Sequence, residues 1–423
     1  MRIRLGVALL AALFAGAACD LDRTNPNAPT EEAALSDPDG IIALAVAMQG
    51  QYAGSINSFI RAPALVTDEW GTWSKALAAD KDLADGGDID DEWGVVSGPY
   101  YSAYRIIRSA NNLIEHAPQV GLGTGLQTGI LALAKLHKAM ALGTIIQQYE
   151  EVPVDASVDG SAPQPRAVVL DTVLALLESA RQDLAGVTDD DLAVFRSRVL
   201  DDGIDLRNTV DAMIARFSLI AGDYDAALAA AQRVDATVPS YYSYTGSAQN
   251  PIYEYSISLE YVAPLQSFAL EAEPGDARVD FWVDASRVDA TVSPAVVYLA
   301  QYADASDPFP IFLPDEMKLI AAEAYARAGE SDLAIALINE VRTQCDPSLD
   351  EPTACLAALD ATDLPDADAI LAQIAYERRY ELYMQGLRWE DLRRLGTYAG
   401  REPRSTYLPM PASECRYNAE AGC

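Results

Sequence analysis

A helix–turn–helix pattern is visible in the run Ala215-Arg216-Phe217-Ser218-Leu219-Ile220-Ala221-Gly222-Asp223-Tyr224-Asp225-Ala226-Ala227-Leu228. A second copy spans 322–341, where Ala328-Gly329 precedes Ala334 and Ile335. In each copy a glycine separates two apolar stretches, and alanines stand where the two helices would approach closely. The pattern predicts a scaffold of paired helices.

The pattern is tetratricopeptide-like, although it lacks the full Trp-Leu-Gly-Tyr consensus, and a generic helical hairpin is the alternative. Apolar residues at i, i+3 and i+4 predict further helices; these are 37–52, 97–117, 127–148 and 168–185. Between about 236 and 310 this periodicity ends, and Tyr, Ser, Pro and β-branched residues predict loops with short strands. The expected fold is mostly α, a helix-pair scaffold over about 31–235 and 311–400 with an irregular insertion at about 236–310.

A charged signature, Glu377-Arg378-Arg379-Tyr380-Glu381-Leu382, continues through Gly386, Arg388, Trp389, Asp391 and Arg394. Glu381 can reach Arg378 one helical turn back, and Asp391 can reach Arg388 or Arg394. Gly386 is expected to break the helix, so that the two charged stretches fold against each other and neutralise their charges. We interpret these carboxylates as structural, because a catalytic pair would need two carboxyls that face a cleft without arginine partners.

The composition excludes several classes of function. The 423 residues are 50% hydrophobic and carry a formal charge of −33, which argues against a disordered chain and against a nucleic-acid partner. Two histidines, His116 and His137, argue against His-built zinc sites. The 21 tyrosines favour a binding protein whose rings stay half exposed.

The first residues resemble an export signal. Two arginines precede an uncharged apolar run, Leu5–Ala18, which is too short to span a membrane. Small residues before Cys19 resemble a bacterial lipobox, although Gly16 stands where a Leu-like residue is usual, and plain secretion is the alternative. We therefore predict a signal peptide at 1–18, lipidation of Cys19, a tether at 19–30 and one domain at 31–423.

The remaining four cysteines should pair in an oxidising compartment. Three connectivities are possible, and short loop closure favours Cys345–Cys355 and Cys415–Cys423.

Together these segments resemble the SusD/RagB family of outer-membrane nutrient-binding lipoproteins. The resemblance covers nearly the whole mature length and rests on the lipidated start, the charged signature, the Gly275-Asp276-Ala277-Arg278 segment, the helix pair from 312 to 329 and the closing Leu408-Pro409-Met410-Pro411. Gln385 departs from the glutamate that is usual in the family.

The resemblance implies a non-enzymatic protein that is anchored by lipid in the outer membrane and faces the cell exterior. It would hold a nutrient, most often an oligosaccharide, and deliver it to a SusC-like TonB-dependent transporter. A helical-repeat lipoprotein that binds proteins or peptides is the alternative, and an exported hydrolase is the third possibility.

Sugar rings stack on exposed aromatic rings among polar side chains, which two segments provide. We predict ligand-binding residues at Trp70 and Trp73 and, in the insertion, at Tyr241, Tyr242 and Tyr244. The alternative for any one ring is a core position. Alternation of Tyr253 and Tyr255 suggests a short strand.

No cofactor is predicted. The acidic stretch from Asp80 to Glu92 fails the EF-hand spacing, which favours a solvated loop and leaves another kind of calcium site as the alternative.

Overall fold

The computed structural model describes residues 30–422 apart from 87–88, 158–159, 347, 350 and 396–405. The α-helices are α1 (Glu31–Leu35), α2 (Pro38–Gly54), α3 (Ile56–Val66), α4 (Ala78–Asp85), α5 (Gly94–His116), α6 (Thr124–Ile145), α7 (Arg166–Leu184), α8 (Ala193–Arg198), α9 (Leu206–Ala221), α10 (Tyr224–Ala231), α11 (Gln266–Leu270), α12 (Arg278–Trp282), α13 (Pro314–Ala328), α14 (Ser331–Arg342), α15 (Ala367–Glu381), α16 (Arg388–Leu395) and α17 (Ala412–Tyr417). In this part of the chain, none of the helices has the length and apolar character needed to cross a membrane.

The two predicted helix pairs are confirmed as α9–α10 and α13–α14. Each pair turns at a glycine in the left-handed conformation, Gly222 at φ 82° and Gly329 at φ 81°. This backbone conformation costs a residue with a Cβ atom more than it costs glycine, so the glycine ends the first helix and lets the second fold back.

The helices stack in nearly sequential order. Helix α2 packs on α5, α5 on α6, α6 on α7 and α7 on α9. Helix α10 then packs on α13, although the insertion separates them in sequence. The scaffold is therefore a continuous array of helix pairs, and the insertion interrupts it in sequence between α10 and α13.

The insertion has short two-stranded pairings. Its strands are β4 (Ser240–Tyr242), β5 (Val262–Pro264), β6 (Val283–Asp289), β7 (Val296–Leu299) and β8 (Phe309–Phe312). Strands β6 and β7 form a hairpin, β5 pairs with β1 (Trp70–Thr72) from the scaffold, and β4 pairs with β8. The short strands β2 (Glu151–Val152) and β3 (Gln164–Pro165) pair within the scaffold. Since β4 follows α10 and β8 precedes α13, the β4–β8 pair closes the insertion at its base.

The helix predictions hold, with ends that differ by up to three residues from those expected, as for α6, which spans Thr124–Ile145. Two local predictions are wrong. Tyr253–Ser258 forms a π-helix, so Tyr253 and Tyr255 do not alternate along a strand. Asp80 belongs to helix α4 and is fully buried 3.6 Å from Arg61, so this part of the acidic stretch is not a solvated loop.

The charged signature forms two buried ion networks. In the first, Arg278 contacts Asp276 and Glu377 at 2.7 Å each and Glu381 at 3.5 Å. The predicted pair between Glu381 and Arg378 is therefore wrong, because this face of α15 packs against α12 and receives its cation from there. Arg342 from α14 adds a contact of 2.8 Å to Glu377.

The second network joins α15 and α16 across Gly386, which takes a φ of 73°. Asp391 accepts from Arg378 at 2.8 Å and from Arg394 at 2.7 Å, so of its two predicted partners the structure shows Arg394. Arg394 also contacts both carboxylate oxygens of Glu323 at 2.6 Å. These contacts tie the signature to the second helix pair and support its structural interpretation.

The disulfide Cys345–Cys355 is confirmed and closes a loop after α14. Cys415 is disulfide-bonded as well, and its predicted partner Cys423 lies outside the described residues.

Glu69 is buried where α15 and α16 meet. Burial raises the pKa of its carboxyl from 4.5 to about 7, although the positive charges of Arg388 and Arg379 oppose this shift. Between these values the folded chain keeps a proton that the unfolded chain releases. The free energy of unfolding should therefore fall by roughly 3 kcal/mol as pH rises from 4.5 to 7, and this group should cause no further change at higher pH.

Denaturant unfolding at several pH values tests this expectation. Glu69→Gln should remove that part of the pH dependence, because the amide does not titrate. A Gln variant with the same slope as the wild type would show that Glu69 titrates normally.

Candidate functional site

Four of the five rings predicted to bind ligand are buried. The exposed fractions are 0% for Trp70, 7% for Trp73, 1% for Tyr242 and 8% for Tyr244. A ring without an exposed face cannot stack on a sugar, so the exposure that we expected from the sequence is wrong at these positions.

Each buried ring has a packing role. Trp70 lies in β1 opposite Pro264, and Trp73 packs on Tyr298 with ring centroids 4.9 Å apart. The Tyr244 hydroxyl donates to the carbonyl of Ala53 at 2.9 Å. These rings fill the junction between the insertion and the helices.

Tyr242 packs into the same junction, where its hydroxyl is hydrogen-bonded to His137. The His137 Nδ1–H donates to the carbonyl of Leu133 at 3.0 Å, which leaves Nε2 to accept from the Tyr242 hydroxyl at 3.2 Å. Burial lowers the pKa of His137 to about 4, so the ring is neutral near pH 7. His137 is thus a core residue.

Tyr241, the fifth predicted residue, is half-buried and lines a cavity of about 390 Å³. Its side chain alternates with that of Tyr242 in β4, as neighbours in a strand do. The ring lies against Gly203, where an added Cβ atom would come within 2.6 Å of it. Tyr241 is therefore held from one side and contributes to the cavity wall.

The cavity lies at the base of the insertion, where β4, the end of α12 and the segment 301–314 meet. Its volume lies within the range of about 300–1,000 Å³ that is typical of small-molecule sites. Aromatic and polar side chains share the wall: Tyr241, Phe281, Trp282, Tyr302, Gln301, Asp307 and Glu351. This combination supplies apolar faces and hydrogen-bonding groups within one concave surface.

The signature helix holds the floor of the cavity. Trp282 is 1% exposed, and its Nε1–H donates to the carbonyl of Tyr380 in α15 at 2.9 Å. The Trp282 carbonyl accepts from the backbone of Ala300, which fixes the two arms of the β6–β7 hairpin at the cavity edge. The buried ion network around neighbouring Arg278 thus also positions the site.

The opposite wall is rigid as well. The Asn250 side chain donates to the carbonyl of Asp307 at 2.8 Å, and the Asp307 carboxylate accepts from the backbone of Asp304 at 2.9 Å. Tyr302 stacks on Phe309 and takes a left-handed φ of 57°, a strained conformation for a tyrosine. Pro308 and Pro310 fix the backbone between these contacts. The walls are therefore preorganised.

Other cavities suit a ligand less well. Those around Glu69 and around Gln147 measure about 10 and 60 Å³. A more open cleft of about 550 Å³ lies beside Tyr149 and Tyr407. The cavity at Tyr241 is more enclosed than this cleft.

The sequence also predicted lipidation of Cys19 and left a calcium site as an alternative. Cys19 lies outside the described residues. Within the described ranges, no group of three or more His, Cys, Asp or Glu side chains is placed to hold a metal ion. Whether the protein needs a cofactor stays a matter of prediction.

Sequence reasoning missed Phe281, Gln301, Asp307 and Glu351. Phe281 lies three residues after the Asp276–Arg278 segment that the family resemblance had singled out. The run Asp307-Pro308-Phe309-Pro310 combines an acid, an aromatic ring and two prolines, which is a usable signal for a rigid binding loop. Glu351 lines the cavity from the loop that the Cys345–Cys355 disulfide closes, and nothing in the local sequence indicates this position.

The chain is similar to known proteins both in sequence and in fold. The SusD_RagB model, described as the SusD family, matches residues 301–418. No curated protein matches the sequence. Among solved structures the chain resembles a SusD superfamily protein from Bacteroides thetaiotaomicron VPI-5482, with 15% identity, a TM-score of 0.69 and coverage of 92% of this chain and 98% of that one.

Two other structures are equally similar. One is a SusD-like carbohydrate binding protein from Bacteroides vulgatus ATCC 8482, with 14% identity, a TM-score of 0.71 and coverage of 91% and 98%. The other is NanU from B. fragilis, with 13% identity, a TM-score of 0.67 and coverage of 94% and 98%. The SusD family model matches the part of the chain that holds the charged signature, and the chain shares the fold of these SusD-like structures over more than nine-tenths of its length.

Proposed function

We propose that the cavity at Tyr241 binds an oligosaccharide nutrient. The observation that carries this proposal is the combination of half-exposed rings, Tyr241 and Phe281, with polar groups in one preorganised cavity of about 390 Å³. A sugar ring offers a flat C–H face to an aromatic ring and hydroxyls to Gln301 and Asp307. A structural relative named as a SusD-like carbohydrate binding protein supports the same class of ligand.

Tyr241→Ala tests the stacking contact. Loss of one well-packed aromatic contact should weaken oligosaccharide binding by about 1–3 kcal/mol, which is about 5- to 150-fold, as measured by calorimetry. Tyr241→Phe is the matched control, because it keeps the ring and should bind nearly as well as the wild type. Equal affinity of the Ala variant and the wild type would place the ligand elsewhere.

The proposed role is binding without catalysis. The signature carboxylates are held in ion pairs with arginines, such as that of Asp391 with Arg378 and Arg394, so they are engaged in structure. The same titrations should be followed by chromatography of the oligosaccharide, which should be recovered intact. Shortened products would favour the exported hydrolase.

We further propose that lipid on Cys19 anchors the protein in the outer membrane, facing the exterior, where it delivers its ligand to a SusC-like TonB-dependent transporter. Purification in mild detergent should recover the wild-type protein from the outer-membrane fraction together with that transporter. Cys19→Ala should appear in the soluble fraction, because stable anchoring needs acyl chains. Equal partitioning of the two forms would contradict the lipid anchor.

A further inference from the structure

The cavity of about 60 Å³ around Gln147, the inner cavity, lies on the scaffold side of the β4–β8 strand pair. Tyr242 and Pro310 border it, whereas Tyr241 and Pro310 border the larger cavity. Because neighbouring side chains in a strand point to opposite faces, the strand pair separates the two cavities. Among the described residues that line the inner cavity, none is exposed. The inner cavity is therefore part of the protein interior.

Two glutamines that follow α6 bring hydrogen-bond acceptors to the inner cavity. The Gln147 Nε2 group donates to the carbonyl of Gly143 at 2.8 Å. The Gln148 Nε2 group donates to the carbonyl of Phe59 at the same distance. These bonds fix the orientation of both amides. The two Oε1 atoms are buried, and in the described part of the chain neither has a hydrogen-bond partner.

A hydrogen-bond donor belongs to the same lining. Gln385, in the turn between α15 and α16, contributes a buried Nε2 group that has no partner among the residues that the structure describes. A buried polar group without a partner is costly, and such groups in folded proteins commonly bond to ordered water. Two acceptors and one donor of this kind border one small space.

Water is the ligand that matches these three groups. A water molecule donates two hydrogen bonds and also accepts them, so it can satisfy Gln147, Gln148 and Gln385. One buried water needs about 10–15 Å³ of cavity volume, so the inner cavity has room for more than one. A metal cation fits less well, because it would need an oxygen in place of the Gln385 Nε2 group. An anion fits less well, because two of the three groups are acceptors.

We propose that the inner cavity binds a cluster of at least two ordered waters, which bridges Gln147 and Gln148 of the scaffold to Gln385 of the turn between α15 and α16. This hydration site goes beyond the proposed function, since it forms without any nutrient. The cluster lies beside Tyr242 and Pro310, so it supports from the scaffold side the strand pair that carries the wall of the larger cavity.

A crystal structure of the protein at a resolution that reveals ordered water tests the proposal. We expect at least two waters in the inner cavity, at hydrogen-bond distances of about 2.7–3.2 Å from Gln147 Oε1, Gln148 Oε1 and Gln385 Nε2. Direct hydrogen bonds between these amides, with no water between them, would overturn the proposal. A metal ion in the inner cavity would overturn it as well.

Oxygen-17 relaxation dispersion counts long-lived waters in solution and allows a matched comparison. Gln385→Met removes the donor and keeps a side chain of similar length, and we expect this variant to lose at least one long-lived water. Gln119→Met changes an exposed glutamine outside the inner cavity and should keep the wild-type number. The same number of long-lived waters in the wild type and in Gln385→Met would contradict the proposal.

Discussion

Replacing Arg278 with methionine is expected to lower the free energy of unfolding by about 3–5 kcal/mol, the scale for removing one partner from a buried ion pair. Arg278 is fully buried, and its guanidinium contacts Asp276, Glu377 and Glu381. Methionine fills similar volume but leaves these carboxylates without that cation. Urea denaturation measures the change.

Two further variants make this result interpretable. Arg278→Lys keeps the charge but not the planar fork, so it should be destabilised as well and should still fold if the methionine variant does not. Arg196→Met breaks an exposed pair with Asp189 and should cost less than about 1 kcal/mol. Equal losses for Arg278→Met and Arg196→Met would show that the buried network contributes no more than a surface pair.

Trp70→Ala is expected to lower the free energy of unfolding by about 3–5 kcal/mol, because it removes a large ring from the core. Trp70 is 0% exposed and lies in the β1–β5 pair that joins the insertion to the scaffold. The folded fraction should bind oligosaccharide with unchanged affinity, since Trp70 does not line the cavity at Tyr241. Melting curves and calorimetry on one preparation measure both quantities.

Trp70→Phe is the matched control for this experiment. It keeps an aromatic ring in the core and should retain more of the stability than Trp70→Ala does. A lost affinity with an unchanged melting temperature would restore Trp70 to the ligand site that the sequence had suggested.

The scaffold could be predicted because its signals are local. Helical periodicity fixes which residues face the core, and the glycines that end α9 and α13 lie next to the helices they end. The limits of the insertion follow from the loss of that periodicity. These features depend on neighbours within one or two helical turns, which a single sequence shows.

The exposure of the candidate rings could not be predicted from the sequence, because burial of a ring depends on distant segments. Tyr241 and Tyr242 are adjacent and of the same type, and alternation along β4 says that they face opposite sides. Which of them faces the core depends on His137 and the helix that carries it. The density of tyrosines therefore does not indicate which ring of the segment stays half-exposed.

The ion networks show the same limit. Helical spacing gave the pair of Asp391 with Arg394, which lie on one helix. The partner of Glu381 is Arg278, about a hundred positions earlier in the chain, and no spacing rule connects them. The resemblance to the SusD/RagB family had singled out both segments, but their contact appears only in the folded chain.

We propose that the cavity at the base of the insertion holds the nutrient. A crystal structure of the protein with a bound oligosaccharide tests it most directly. We expect a sugar ring against Tyr241 or Phe281, with hydroxyls hydrogen-bonded to Gln301 or Asp307. An oligosaccharide bound at another surface, with this cavity free of sugar, would contradict the account.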